Sequence, residues 1–130
     1  MKLKTLMLSA MVLAPSATQA APPEVFWRAV HQVETSGRVG RILGDGGRSL
    51  GPLQISLAYW KDSRVPGRYS DCTGLAYSRR VATAYLKRYA PRAWRSSDCQ
   101  VLARIHNGGP RGHRKKSTVT YWVKVRRAMQ

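Results

Sequence analysis

The sequence predicts an α+β fold that is mostly α, with about five helices and a small β-hairpin lobe in one domain. Three observations lead to this prediction. Apolar residues recur at helical spacing in several segments, and a single glycine-rich stretch, residues 38–50, interrupts them. No linker, repeat or low-complexity run divides the chain of 130 residues, which is long enough for one hydrophobic core.

Residues 1–20 have the features of a secretory signal sequence. Lys2 and Lys4 form the charged start, a short apolar run follows, and Thr18-Gln19-Ala20 offers a small-residue cleavage site. The apolar run is too short to span a bilayer, although a short membrane anchor is the alternative. We therefore expect a secreted or periplasmic protein whose folded domain occupies residues 21–130.

The first two helices are predicted on either side of the hairpin. The first ends near Gly37 and carries an apolar stripe of Val25, Phe26, Ala29, Val30 and Val33. The stretch 38–50 suits a hairpin because glycines alternate there with apolar residues. Pro52 is placed like the first residue of a second helix, which would carry Leu53, Leu57 and Trp60.

Three more helices are predicted in the second half of the chain. The third is ended by Pro91 and carries Val81, Ala82, Tyr85, Leu86 and Tyr89. Asp98 is placed to cap a fourth, which bears Val101, Leu102 and Ile105 and breaks at residues 107–110. The last covers 118–129 with Tyr121, Trp122, Val125 and Met129 at helical spacing.

The charge and the cysteine content are those expected of an exported protein. Removing the leader lowers the formal net charge from +17 to +15, because Lys2 and Lys4 are its charged residues. Such a charge attracts polyanions over long range, and anionic cell surfaces are the expected partners. Cys72 and Cys99 lie in the exported part, where disulfides persist, so we expect them to pair. The three histidines do not supply zinc-ligand spacing, and no metal or cofactor is expected.

Two carboxylates stand out because the chain has 6 acidic residues against 23 basic ones. Glu34 follows Val30 by four residues, which places it on the inward stripe, where apolar surroundings favour the protonated acid. Asp45 lies between glycines, which leave its carboxylate solvated and ionised. Two carboxyls in such different surroundings are the minimum equipment for cleaving a glycosidic bond. A solvent-exposed glutamate and an ordinary Asp-Gly turn are the alternatives.

Further residues are candidates for binding a sugar. The Gln54 amide, beside Ile55, can donate to and accept from an N-acetyl or hydroxyl group, and Tyr59 and Trp60 can stack on a sugar face. The segment His106-Asn107-Gly108 is expected to line the opposite wall of a cleft. The alternatives are that Trp60 belongs to the core and that residues 107–109 form a helix cap.

The order of these motifs resembles that of the invertebrate-type (destabilase-like) lysozymes, within the lysozyme and lytic transglycosylase superfamily. The matching pieces are Glu34 with Ser36-Gly37, Asp45, 51–55, 59–62, 65–67, 85–89, 103–110 and Tyr121-Trp122. The resemblance implies that residues 21–130 form a lysozyme-like catalytic domain. It places the family's proton donor at Glu34 and its second catalytic carboxylate at Asp45. The chain departs from the family in having two cysteines rather than many and in the spacing around Asp45. It also has Thr35 between Glu34 and Ser36-Gly37, where the family usually reads Glu-Ser-Gly.

Three functions follow from this reading. The leading one is a monomeric muramidase that hydrolyses the β-1,4 bonds of peptidoglycan or a chitooligosaccharide, with Glu34 as acid and Asp45 as second carboxylate. A lytic transglycosylase would need Glu34 alone. A non-enzymatic cationic protein would bind walls, membranes or nucleic acid by charge. No specific nucleic acid is expected as a partner. The sequence lacks a G-x-S-x-G nucleophile motif and a phosphate-binding glycine loop, which disfavours those enzyme classes.

Overall fold

The computed structural model describes Val12, Leu13 and residues 21–130; the rest of the predicted signal sequence, residues 1–20, lies outside the described residues. Within this part, six helices are present: α1 (Glu24–Thr35), α2 (Leu57–Ser63), α3 (Leu75–Tyr89), α4 (Pro91–Ser96), α5 (Cys99–Gly108) and α6 (Val119–Ala128). One antiparallel sheet has the order β1 (Leu43–Gly44), β2 (Ser49–Leu50) and β3 (Ile55–Ser56). The predicted combination of many helices and a small β lobe is confirmed.

Helix α5 lies at the centre of the helical part. It contacts α3, α4 and α6, while α1 packs on α6 and α2 packs on α3. The amphipathic stripes meet in one core, whose fully buried side chains include Phe26, Val30, Leu53, Ile55, Val81, Leu86, Leu102, Ile105 and Val125. Because both α1 and α5 border α6, their C-terminal turns can face one another across it.

The second helix begins later than the sequence predicts. Pro52 lies in a turn, and the chain forms strand β3 before α2 starts at Leu57. Gly51 explains the difference: its φ is +80°, and a Cβ there would lie 1.9 Å from the Cys72 carbonyl oxygen. This turn pairs Leu50 with Ile55 in the sheet, so strand pairing prevails over the helix-start signal of the proline.

The sequence also misses one short helix. Pro91 ends α3 as predicted, but it is at the same time the first residue of α4, which buries Ala93 and Trp94. A proline lacks the N–H that the first helical turn leaves unpaired, so it starts a new helix as readily as it stops one. The predicted cap of α5 is confirmed, since Asp98 accepts a hydrogen bond from the Val101 N–H at 3.2 Å.

The predicted disulfide is wrong for this structure, in which Cys72 and Cys99 are both free. Cys72 is buried just before α3 begins, and Cys99 starts α5 beyond the other end of α3 and all of α4. A helix of 15 residues such as α3 is about 22 Å long, whereas a disulfide needs Cα atoms within about 7 Å. Burial, with a smaller contribution from Asp71, raises the pKa of the Cys72 thiol to about 11.

None of the helices in the described ranges is both long and apolar enough to cross a membrane.

Candidate active site

Glu34 lies in the last turn of α1, where α6 packs against it. Its Oε1 accepts a hydrogen bond from the Tyr121 hydroxyl at 2.8 Å, and only 15% of the side chain is exposed. The predicted inward position is therefore confirmed. The apolar stripe of α1 continues directly beneath this carboxyl through the fully buried Val30.

His106 approaches the same carboxyl from α5. Its Nε2 lies 3.5 Å from Glu34 Oε1 and 3.1 Å from the Leu53 carbonyl oxygen, while its Nδ1 lies 2.8 Å from the Tyr59 hydroxyl. The imidazole side chain is only 3% exposed. A carbonyl oxygen can only accept, so the hydrogen bond to Leu53 assigns a hydrogen to Nε2. His106 was predicted to line the opposite wall of a cleft; in the structure it lies within the core, beside Glu34.

The buried Tyr59 and the partly buried Tyr121 complete this cluster. Burial raises the pKa of Tyr121 well above its usual range, and the charge and hydrogen bond of Glu34 add to the shift. Burial also raises the pKa of Tyr59, with Tyr85 and Glu34 adding to it. Both hydroxyls therefore keep their hydrogens and act as donors. The sequence analysis missed Tyr121 as a site residue, although its helical register with Val125 indicates that it faces inward.

The end of α1 is fastened to the loop that leads into β3. Thr35 is buried, and its Oγ1 donates a hydrogen bond to the Pro52 carbonyl oxygen at 2.8 Å. Ser36 then ends the helix in the left-handed conformation, with φ of 55°. Thr35, the residue between Glu34 and Ser36-Gly37, thus joins helix α1 to the β lobe.

Asp45 occupies the turn between β1 and β2, with φ of 53°. Its side chain is 67% exposed, and its Oδ1 lies 3.3 Å from Nη2 of Arg48, as in a weak surface ion pair. The solvated position is as predicted. No hydrogen bond in the described part of the chain connects Asp45 to the cluster around Glu34. Beside this turn lies a groove lined by Arg41, Leu43, Gly47, Leu50, Tyr69, Ser70 and Thr73.

Two of the predicted binding residues support the β lobe. Both hydrogens of the Gln54 amide are used, since Nε2 donates to the carbonyl oxygens of Ile42 at 3.1 Å and Gly51 at 2.9 Å. Ile55 is fully buried in the core. In this structure the amide N–H groups of Gln54 brace the turn, so they are not available to a sugar.

The predicted aromatic platform lies largely inside the molecule. Tyr59 is 8% exposed and stacks on Tyr85 with ring centroids 3.6 Å apart, so its face is not open to a sugar. Trp60 is half-buried against the core and donates its indole N–H to the Tyr77 hydroxyl at 2.9 Å. The alternative prediction, that Trp60 belongs to the core, agrees better with these contacts.

Asn107 and Gly108, the other two residues predicted to line the cleft wall, differ in their exposure at the end of α5. Asn107 is exposed, whereas Gly108 packs so closely on α6 that a Cβ would lie 2.5 Å from Thr118 Cγ2. Gly109, with φ of 86°, ends the helix, so the predicted break falls at this glycine.

The other acidic residues have structural partners. Glu24 pairs with Arg79, Asp62 accepts from the Tyr89 hydroxyl, Asp71 accepts from the Arg68 N–H, and Asp98 caps α5. Across the described residues, no group of three or more histidine, cysteine or acidic side chains is arranged to hold a metal ion. Among the acidic residues, Glu34 is the one whose carboxyl lies beside both a tyrosine hydroxyl and a buried histidine.

Comparison with known proteins points to one family. A family model described as Destabilase matches residues 30–128. Lysozyme 1 of Crassostrea virginica is 47% identical over 79 residues, which cover 59% of this chain and 43% of the oyster protein. The lysozyme of Meretrix lusoria is 40% identical over 91 residues, which cover 68% of this chain and 75% of the clam protein. The chain thus spans less than half of the first relative and three quarters of the second.

Solved structures agree with the sequence relatives. The crystal structure of Aeromonas hydrophila PliI in complex with Meretrix lusoria lysozyme matches with a TM-score of 0.70 and 33% identity, covering 82% of this chain and 89% of that chain. The crystal structure of Tapes japonica lysozyme matches with a TM-score of 0.67 and 29% identity, covering 81% and 91%. The lysozyme-like fold implied by the sequence motifs is confirmed.

Proposed function

The chain belongs to the Destabilase family, whose matched relatives are lysozymes, and we propose that it is an exported muramidase. It would hydrolyse the β-1,4 bonds between N-acetylmuramic acid and N-acetylglucosamine in peptidoglycan, or the equivalent bonds of a chitooligosaccharide. The predicted signal sequence supports secretion or release into a periplasm. The proposal requires no metal or cofactor.

The observation that carries this proposal is the half-enclosed Glu34, which is 15% exposed and contacts Tyr121 and His106. A general acid must hold a proton near the bridging oxygen of the sugar chain and release it as the bond breaks. The Tyr121 hydroxyl and the buried His106 on one side and partial exposure on the other give Glu34 both a fixed orientation and access to substrate. Its position at the end of a packed helix keeps that orientation rigid.

Asp45 is proposed as the second carboxylate. Its exposure and its place on a glycine-rich turn suit a group that attacks or stabilises the positive charge that develops at the anomeric carbon. The neighbouring Arg48 forms only an exposed ion pair, which a bound sugar can displace at small cost.

One observation favours a second candidate, a lytic transglycosylase. Asp45 lies outside the hydrogen-bonded cluster of Glu34, and a transglycosylase needs only the single acid. In that reaction the sugar's own hydroxyl closes on the anomeric carbon, so the product carries an anhydro end instead of a reducing end. A non-enzymatic cationic role is the third candidate, and it predicts no dependence on Glu34.

The test of the enzyme proposal is Glu34→Gln, which keeps the shape of the side chain and removes its transferable proton. General acid catalysis contributes about 10²–10⁴-fold, so clearing of a cell-wall suspension should slow at least 100-fold while the melting temperature is retained. Glu24→Gln is the matched control, since Glu24 is exposed and paired with Arg79. Clearing at the wild-type rate by folded Glu34→Gln protein would contradict an enzymatic role.

Anionic cell surfaces are the proposed partner beyond the substrate. Residues 99–130 contain eight lysines and arginines and no acidic residue, and they include α6, which also carries Tyr121. The charges of this C-terminal part of the chain are therefore of one sign. Such a field concentrates the protein on a negatively charged wall before any bond is cleaved.

A further inference from the structure

The two carboxyl oxygens of Glu34 have different surroundings. The Tyr121 hydroxyl, at 2.8 Å, and His106 Nε2, at 3.5 Å, both approach Oε1. No described residue donates a hydrogen bond to Oε2. Oε2 has no partner, yet it is not buried. Among the described side chains, the buried polar atom that lacks a partner is His113 Nδ1. Solvent therefore reaches Oε2.

The orientation of His106 is itself fixed by the fold. The Leu53 carbonyl oxygen holds the hydrogen on Nε2, and the Tyr59 hydroxyl donates to Nδ1. Tyr59 in turn is stacked on Tyr85 with only 11° between the ring planes. The imidazole therefore keeps its hydrogen on Nε2, directed at Leu53, and this nitrogen lies 3.5 Å from Oε1 of Glu34. At 3.5 Å this is a weaker contact than the hydrogen bond from Tyr121.

Building on the proposed function, we propose that Tyr121 is a positioning residue that holds Oε1 of Glu34 as an acceptor, with His106 Nε2 beside it, so that Oε2 is the oxygen that donates the proton. In a protonated carboxyl, the oxygen that already receives donors is the carbonyl oxygen, so the hydrogen sits on the other one. Among the described residues, Tyr121 and His106 are the polar side-chain partners of this carboxyl. The hydrogen bond to Oε1 thus determines which carboxyl oxygen of Glu34 carries the proton, because it prevents the carboxyl group from rotating freely.

The assignment accounts for each bond in the reaction. The Oε2–H bond breaks as its proton moves to the bridging oxygen, and the bond between that oxygen and the anomeric carbon breaks with its electron pair going to the oxygen. Glu34 becomes a carboxylate, which the Tyr121 hydroxyl at Oε1 stabilises because hydrogen bonds to a charged group are stronger than those to a neutral one. Water that later adds to the anomeric carbon returns a proton to Oε2.

Tyr121→Phe tests the stronger of the two contacts. On a soluble chitooligosaccharide, kcat should fall about 10- to 100-fold with KM nearly unchanged, the effect of losing one hydrogen bond to a charged group. Losing the donor favours the protonated acid over the carboxylate, so the alkaline limb of the pH–activity profile should move to higher pH. Tyr89→Phe is the matched control, because it removes a hydroxyl that donates to a different carboxylate, that of Asp62. It should change neither kcat nor the profile.

His106→Gln and His106→Leu test the weaker contact. Glutamine keeps an N–H donor, so it should retain several-fold more activity than leucine, which offers none. Folding is checked by the melting temperature of each variant, and Tyr121→Phe provides the decision if neither histidine variant folds. Wild-type kcat and an unchanged pH profile in folded Tyr121→Phe protein would overturn the inference. If Glu34→Gln is inactive in the same assay, the proposed function survives that result; if Glu34→Gln is fully active, the proposed function itself fails.

Discussion

At the scale of single residues, the proposed chemistry rests on the contrast between two carboxyls. Glu34 is enclosed by the Tyr121 hydroxyl and by His106, whereas Asp45 is 67% exposed on a turn. Sequence spacing was enough to predict both environments, because an inward helical position and a glycine-rich turn are local features. It was not enough to predict Tyr121, which lies 87 residues from Glu34 in the chain. Contacts at such separation depend on how α1 and α6 pack.

Asp45→Asn separates the two enzymatic mechanisms. Asparagine tolerates the left-handed backbone at this position, so the turn should be retained. If Asp45 acts as nucleophile or ion stabiliser, hydrolysis should fall by at least about 100-fold, in the range found for groups that stabilise charge in a transition state. The measurement is the initial rate on a chitooligosaccharide, with Asp62→Asn as the control at another exposed aspartate. Lysis that persists in Asp45→Asn would favour the transglycosylase.

At the scale of elements, the helices with clear apolar stripes were predicted correctly, and the errors fall where two signals compete. Pro52 was assigned to a helix, but the turn at Gly51 and the pairing of Leu50 with Ile55 place it before a strand. Pro91 both ends α3 and begins α4, and the sequence pattern indicated only the first role. The disulfide prediction failed for another reason, because the distance between Cys72 and Cys99 depends on the packing of α3 and α4.

The connection between α1 and the β lobe is expected to stabilise the fold. Thr35→Val keeps the shape of the side chain but leaves the buried Pro52 carbonyl without its 2.8 Å donor. Losing a buried hydrogen-bond partner costs about 1–3 kcal/mol, so the free energy of unfolding in urea should fall by that amount. Thr35→Ser retains the hydroxyl and should lose less. Equal losses in the two variants would show that the methyl group, and not the hydrogen bond, matters at this position.

At the scale of the whole molecule, the net charge and the contacts of the proposed active site are expected to act over different distances. Residues 21–130 carry a formal charge of +15, whereas the proposed acid Glu34 would act through contacts of a few ångströms. Salt screens charge over about 8–10 Å at physiological ionic strength, so raising the salt concentration should slow lysis of whole cells steeply. Cleavage of a neutral chitooligosaccharide should change far less. Equal salt sensitivity on both substrates would show that salt acts on the site or the fold, and that the basic surface does not guide the protein to the wall.

The central claim is that this protein is a hydrolase of the peptidoglycan backbone. The most direct measurement is mass analysis of the fragments that the purified protein releases from peptidoglycan. Hydrolysis adds one water to each cleaved bond, so a muramidase should release fragments with reducing N-acetylmuramic acid ends, and Glu34→Gln should not. Fragments with anhydro ends, about 18 Da lighter because no water is added, would contradict it, as would intact peptidoglycan after treatment with folded wild-type protein.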